Sequence, residues 1–182
     1  MGLPQSRLSL AEFLVWEAAE AERHEFHRGE VFAMVGARRV HGIAAGNIFT
    51  SLKRQLKGSP CQAFIESLKV QVNEDTIFYP DVFVTCDPAD LRTDYIFRAP
   101  TVVVEVLSES TQAFDRGLKF AMYRQLASLK EYLLVDPDNR MVELYRRGAD
   151  GLFTLHDYTG TARFPVASIG CELATDEVFD AL

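Results

Sequence analysis

The sequence predicts an α/β (α+β) fold, a mixed β-sheet core flanked by helices, with additional β-hairpins. Three observations carry the prediction. Read along the 182 residues, the elements run helix, hairpin, helix, strands, helix, strands, which is the order of a mixed sheet with helices packed on it. Residues 101–107 are apolar apart from Glu105, and a continuous apolar run marks a strand buried on both faces. Hydrophobic content of 48% with 25% charged residues matches an ordinary globular chain and excludes extensive disorder. No repeat, low-complexity tract or linker divides the chain, so residues 1–182 are expected to form a single domain.

The elements follow in order. Ser9 and Glu12 form an S-x-x-E capping box. Leu10, Phe13, Leu14 and Ala18 recur at helical spacing behind it, so residues 9–22 are expected to be a helix. Residues 24–26 and 30–35 are expected as strands around Arg28-Gly29. Residues 40–56 form a second predicted helix, closed by Lys57, Gly58 and Pro60. Residues 64–72 and 77–85 are predicted as one antiparallel hairpin through Asn73-Glu74-Asp75. A mobile loop is expected over 87–98, then the central strand 101–107, a helix over 110–127 and a buried strand over 131–135. Strands 141–146 and 151–158 pair through Gly148-Ala149-Asp150. A weakly helical tail follows.

Composition narrows the chemistry. The net charge of −7 argues against a generic electrostatic coat for nucleic acid, which would be basic. It leaves room for a metal-dependent enzyme, because a bound ion supplies local positive charge. Cys61, Cys86 and Cys171 show no paired spacing, so reduced, partly buried thiols are expected. No secretory leader pattern and no membrane-length apolar run is present, so the expected location is cytoplasmic. G-x-S-x-G, GxxxxGK[ST], HExxH and GxGxxG are absent.

Two acids interrupt apolar runs. Asp81 follows Pro80 within 77–84, and Glu105 follows three valines. A carboxylate buried in such a run costs desolvation energy unless something pairs with it. A divalent ion with waters and substrate phosphate is one such partner. An arginine or lysine in a purely structural ion pair is another, and exposure at a strand end is a third outcome for Asp81. Asp115, Lys119 and Tyr123 are spaced four apart and share a helix face. Lys119 is either one half of a surface pair with Asp115 or an amine carried over the sheet end towards Glu105. His41 shares a stripe with Ile48, Leu52 and Leu56. It is either a satisfied inward-facing histidine or a contact at the rim of the site. Glu25 alternates with His24 and Phe26 in the first hairpin.

These residues resemble the Uma2 family. The matching pieces are His24-Glu25-Phe26 with Gly29-Glu30, His41, Tyr79-Pro80-Asp81-Val82, and Val103-Val104-Glu105-Val106-Leu107-Ser108 with Ser110-Thr111. Asp115, Lys119, Tyr123, Glu131-Tyr132 and Val135-Asp136-Pro137 complete the match. The resemblance runs from Ser9 to the C-terminus and is most specific from Val103 to Pro137. It implies a restriction endonuclease-like PD-(D/E)xK core, with Asp81 and Glu105 as metal ligands and the carbonyl of Val106 completing the shell. The usual pattern places lysine two residues after the glutamate, where this chain has Leu107. The resemblance implies that Lys119 takes its place, with Glu25 and His41 near the site. His24 stands where an aromatic is commoner, and Arg28 replaces a frequent acid before Gly29.

The expected function is therefore a Mg²⁺-dependent DNA endonuclease, with Mn²⁺ as a possible substitute ion, no membrane association and a possible homodimer. The rival expectation is a weakly active or inactive nuclease-fold module that binds nucleic acid or a protein partner. Leu107 and the −7 charge favour the rival; the pairing of Asp81, Glu105 and Lys119 favours the enzyme.

Overall fold

A computed structural model describes residues 7–34 and 36–182. The expected absence of a leader segment at residues 1–6 and the expected strand position Val35 lie outside the described residues. The mixed architecture is as predicted. Helix α1 spans Leu10–Glu17, with both halves of the Ser9–Glu12 capping box formed. It stops five residues before the predicted end. The Glu17 carboxylate accepts from the His24 backbone N–H and from the Tyr79 hydroxyl, which turns the chain back towards the sheet. Strands β1 (His24–His27) and β2 (Glu30–Ala33) pair antiparallel. Helix α2 spans Arg39–Gln55.

The predicted long hairpin is divided. Its first arm is β3 (Gln62–Ile65) and β4 (Lys69–Asn73). Its second is β5 (Thr76–Phe78) and β6 (Val82–Thr85). Both arms break at the same level. Glu66 and Ser67 take positive φ of 44° and 55°, and Tyr79-Pro80-Asp81 interrupts the partner arm, where proline cannot donate to a ladder. The Glu66 N–H still bonds the Asp81 carbonyl at 3.0 Å. Each arm thereby leaves one sheet and enters another. The loop expected to be mobile carries a 3₁₀ turn at Asp90–Arg92 and strand β7 (Ile96–Phe97). Buried Asp90 ties it down by accepting from the Arg98 and Ala99 N–H groups and the Thr85 hydroxyl.

Strand β8 (Pro100–Val106) is central, as predicted. Helix α3 follows as three consecutive segments, Gln112–Phe114, a π-helical turn at Asp115–Lys119, and Phe120–Tyr123. It is shorter than predicted at both ends. Strand β9 (Glu131–Asp136) returns parallel to β8, and β10 (Met141–Arg147) with β11 (Phe153–Asp157) form the predicted hairpin. The tail is richer than predicted. Strands β12 (Arg163–Val166) and β13 (Cys171–Ala174) pair before a short helix α4 at Thr175–Val178.

One sheet has the order β2-β1-β5-β4-β7, and the larger one β11-β10-β9-β8-β6-β3. Both faces of the larger sheet are covered. Ala45, Ile48 and Leu52 of α2 pack on Val82, Val104 and Leu133. On the other face Tyr123 of α3 packs with Phe83, Val103, Leu107 and Tyr132. No helix among the described residues is long and apolar enough to cross a membrane.

The cysteine expectation is corrected. Cys61 and Cys86 form a disulfide, with Cα atoms 4.0 Å apart, and only Cys171 is a free buried thiol among the described residues. The sequence separation hid the pairing. Gln62 pairs Thr85 across β3 and β6, so the next position outward sets the two thiols opposite each other. A bridge closing 25 residues stabilises mainly by restricting the unfolded chain, by roughly 3 kcal/mol. Cys86→Ser is therefore expected to lower the unfolding free energy by that amount, seen as a lower denaturant midpoint at unchanged slope. A midpoint unmoved by both this substitution and a reductant means that the bridge does not form.

Candidate active site

The break in the hairpin creates the site. One step beyond the pairing of Val82 with Val104, the register sets Asp81 beside Glu105 at the mouth of the larger sheet. The Val106 N–H donates to Asp81 Oδ2 at 2.7 Å, in place of a ladder bond. Glu105 shares its strand face with Val103 and Leu107, the face covered by α3. That helix supplies the amine. Lys119 Nζ lies 2.9 Å from Glu25 Oε1, 3.3 Å from Glu105 Oε1 and 3.3 Å from Asp115 Oδ1. Its side chain is only 8% exposed. The π turn spans Asp115–Lys119, and the Tyr132 hydroxyl bonds the Asp115 carbonyl at 2.9 Å. Such turns recur at functional sites.

Glu25 ties the smaller sheet to helix α3 through Lys119. Its Oε1 also accepts from the Tyr79 N–H at 3.1 Å, where β5 ends. His41, near the start of α2, points Nε2 at Asp81 Oδ2 from 3.2 Å. The fully satisfied inward histidine is corrected, since Nδ1 is buried without a partner among the described residues. Structure thus brings together Glu25, His41, Asp81, Glu105, Val106 and Lys119. It adds Asp115, which the sequence marks through its spacing from Lys119 and through the family resemblance, without a site role. Glu66 and Glu109 also line the cleft. Their proximity depends on backbone turns that residue type does not announce.

The electrostatics are unbalanced. Burial pushes the Glu105 carboxyl well above its ordinary range, against the pull of Lys119, and the charges of Asp81, Asp115 and Glu25 push it further. Burial likewise raises Glu25 and Asp115. Burial alone would lower Lys119, but Glu105, Glu25 and Asp115 together hold its ammonium well above the lysine range. His41 is depressed by burial and raised by more through Asp81. Four acids thus face one ammonium and one imidazole. In a weakly screened interior this excess of carboxylate calls for protons or a further cation.

The donors fit a hard divalent ion. Among the described residues no three His, Cys, Asp or Glu side chains stand in a ligating arrangement, but Mg²⁺ is commonly held by one or two carboxylates with waters and phosphate. Asp81 and Glu105 supply two carboxylates on the wall of a cleft of about 1000 Å³. Glu105 Oε1 takes Lys119, whereas Oε2 accepts no hydrogen bond from a described residue. Phe32, Met34 and Phe114 form an apolar wall of the same cleft.

Known proteins resemble this chain in sequence and in fold. Residues 10–176 match the model of the Uma2 family, described as "Putative restriction endonuclease". The uncharacterized protein slr1290 of Synechocystis sp. is 37% identical over 98% of this chain and 95% of its own. A second uncharacterized Synechocystis protein, sll1609, is 30% identical over 84% and 88%. A crystal structure from Anabaena variabilis, described as "a putative nuclease belonging to DUF820", has the same fold. Its TM-score is 0.79 at 18% identity, covering 94% of this chain and 97% of that one.

Proposed function

Because this chain belongs to the Uma2 family, we propose that it is a metal-dependent endonuclease that hydrolyses phosphodiester bonds in DNA. The observation that carries this reading is the buried cluster of Glu25, Glu105 and Asp115 on the single ammonium of Lys119, beside Asp81 in an open cleft. A structural ion pair needs one acid for one base. Three acids on one base, with a fourth alongside, leave negative charge that suits an ion from solution.

Asp81 and Glu105 would hold Mg²⁺, or Mn²⁺ in its place, with the Val106 carbonyl as a third oxygen donor. When bound there, such an ion supplies Lewis-acid polarisation of a phosphate and an acidified water. The remaining work falls to the chain. Val106 fixes Asp81 through its N–H, and His41 holds the same carboxylate from the other side. Lys119 is held in place by Glu25 and Asp115, so its ammonium stands beside Glu105 without reorganisation. There it stabilises negative charge that develops on the phosphoryl oxygens. Lys119 thereby occupies the role that Leu107 cannot, since Leu107 is buried in the core beneath α3. A homodimer would set two such sites against the two strands of a duplex.

Supercoiled plasmid incubated with the protein and Mg²⁺ is expected to be nicked, and EDTA to stop the reaction. Nicking that persists in EDTA, or none under any divalent ion, contradicts the proposal.

A further inference from the structure

We propose that Tyr123 is a positioning residue for Glu105, its hydroxyl donating through one buried water to the free oxygen of that carboxylate. The inference rests on the proposed metal site and extends it to a residue outside the cleft wall. Tyr123 is fully buried, and its hydroxyl has no hydrogen-bond partner among the described residues. An orphaned buried hydroxyl costs about 1–3 kcal/mol, and such groups in folded proteins usually mark a water or ion. The ring is fixed. It packs against Phe78 at 5.4 Å and Tyr132 at 5.8 Å between centroids. It stands one turn beyond Lys119 on α3, on the sheet face from which Glu105 projects.

The Phe78 ring that flanks Tyr123 also lies 5.9 Å from the Lys119 ammonium, so the phenol borders the carboxylate cluster. Burial first, and then the charges of Glu105, Glu25, Asp115 and Asp81 in that order, push its ionisation well above the usual tyrosine range. It remains a protonated donor at any working pH. Its neighbour Tyr132 cannot substitute, because that hydroxyl is already committed to the Asp115 carbonyl. Glu105 Oε1 is held by Lys119, which leaves Oε2 as the oxygen whose orientation needs a second donor. Groups that orient a metal ligand in this way are typically worth about tenfold or more in metal affinity.

The test is titration of Mn²⁺ into the wild type, Tyr123→Phe, Glu105→Gln and the double variant, beside denaturant melts of the same metal-free proteins. Tyr123→Phe keeps the ring and removes only the hydroxyl. The expected result is about tenfold weaker Mn²⁺ binding. In the melts, the hydroxyl is expected to matter in the wild type and to matter less once Glu105 is glutamine. Wild-type Mn²⁺ affinity in Tyr123→Phe overturns the positioning role. If the wild type itself takes up no Mn²⁺, the metal site fails, and the melts still decide this inference. A hydroxyl effect that depends on Glu105 supports it, and equal effects in both backgrounds overturn it.

Discussion

Lys119→Met is expected to destabilise the protein by about 3–5 kcal/mol at pH 8, the scale of removing one partner from a buried ion pair. Methionine fills much of the lysine volume, so the loss isolates the charge. Glu25, Glu105 and Asp115 would share a buried space with no ammonium among them. Their carboxyls, already raised by burial, would answer by holding protons. The effect therefore shrinks in acid. Near pH 4.5 the unfolded chain also carries protonated acids, and the variant should approach the wild type. The sign for Lys119 agrees. A folded pKa above the ordinary 10.5 contributes stability present below that value and lost only as pH rises through the folded one. Denaturant titrations of both proteins across pH 4.5 to 8 check this. A deficit that does not grow with pH means that the three acids are not held by Lys119.

Glu105→Gln is expected to separate stability from activity. The folded carboxyl is raised above its ordinary 4.5, so its contribution is present below that pH and is lost as pH rises through the folded value. Glutamine carries no such liability. The metal-free variant should match or exceed wild-type stability at pH 8, with Lys119 still held by Glu25 and Asp115. Cleavage should fall by at least about a hundredfold, the scale of losing one electrostatic contact to the transition state. A variant that is less stable at pH 8 and still cuts would remove Glu105 from the site.

Much of this was legible in the sequence, for reasons that differ by residue. Glu105 stood out because a lone acid in an apolar run violates the strand pattern, and strands β8 and β9 were legible as two apolar runs flanking a helix, though their parallel pairing is seen only in the structure. Asp81 was legible through Pro80, which marks the end of a ladder. The division of the hairpin was not. Glu66 and Ser67 take left-handed conformations without glycine, and this same break brings Asp81 beside Glu105. Glu25 was visible only through family resemblance, since its contact with Lys119 joins residues 94 positions apart, one on the smaller sheet and one on helix α3. The π turn under Lys119 and the Cys61–Cys86 bridge arise from tertiary register, to which local spacing is blind.

The most direct measurement is isothermal titration of Mn²⁺ into metal-free wild type at pH 7, in two buffers of different ionisation heat. The site's excess of carboxylate predicts binding of an ion accompanied by net proton release, seen as a buffer-dependent enthalpy, and loss of that signal in Glu105→Gln. No binding by the wild type, or binding unchanged in Glu105→Gln, would contradict the account.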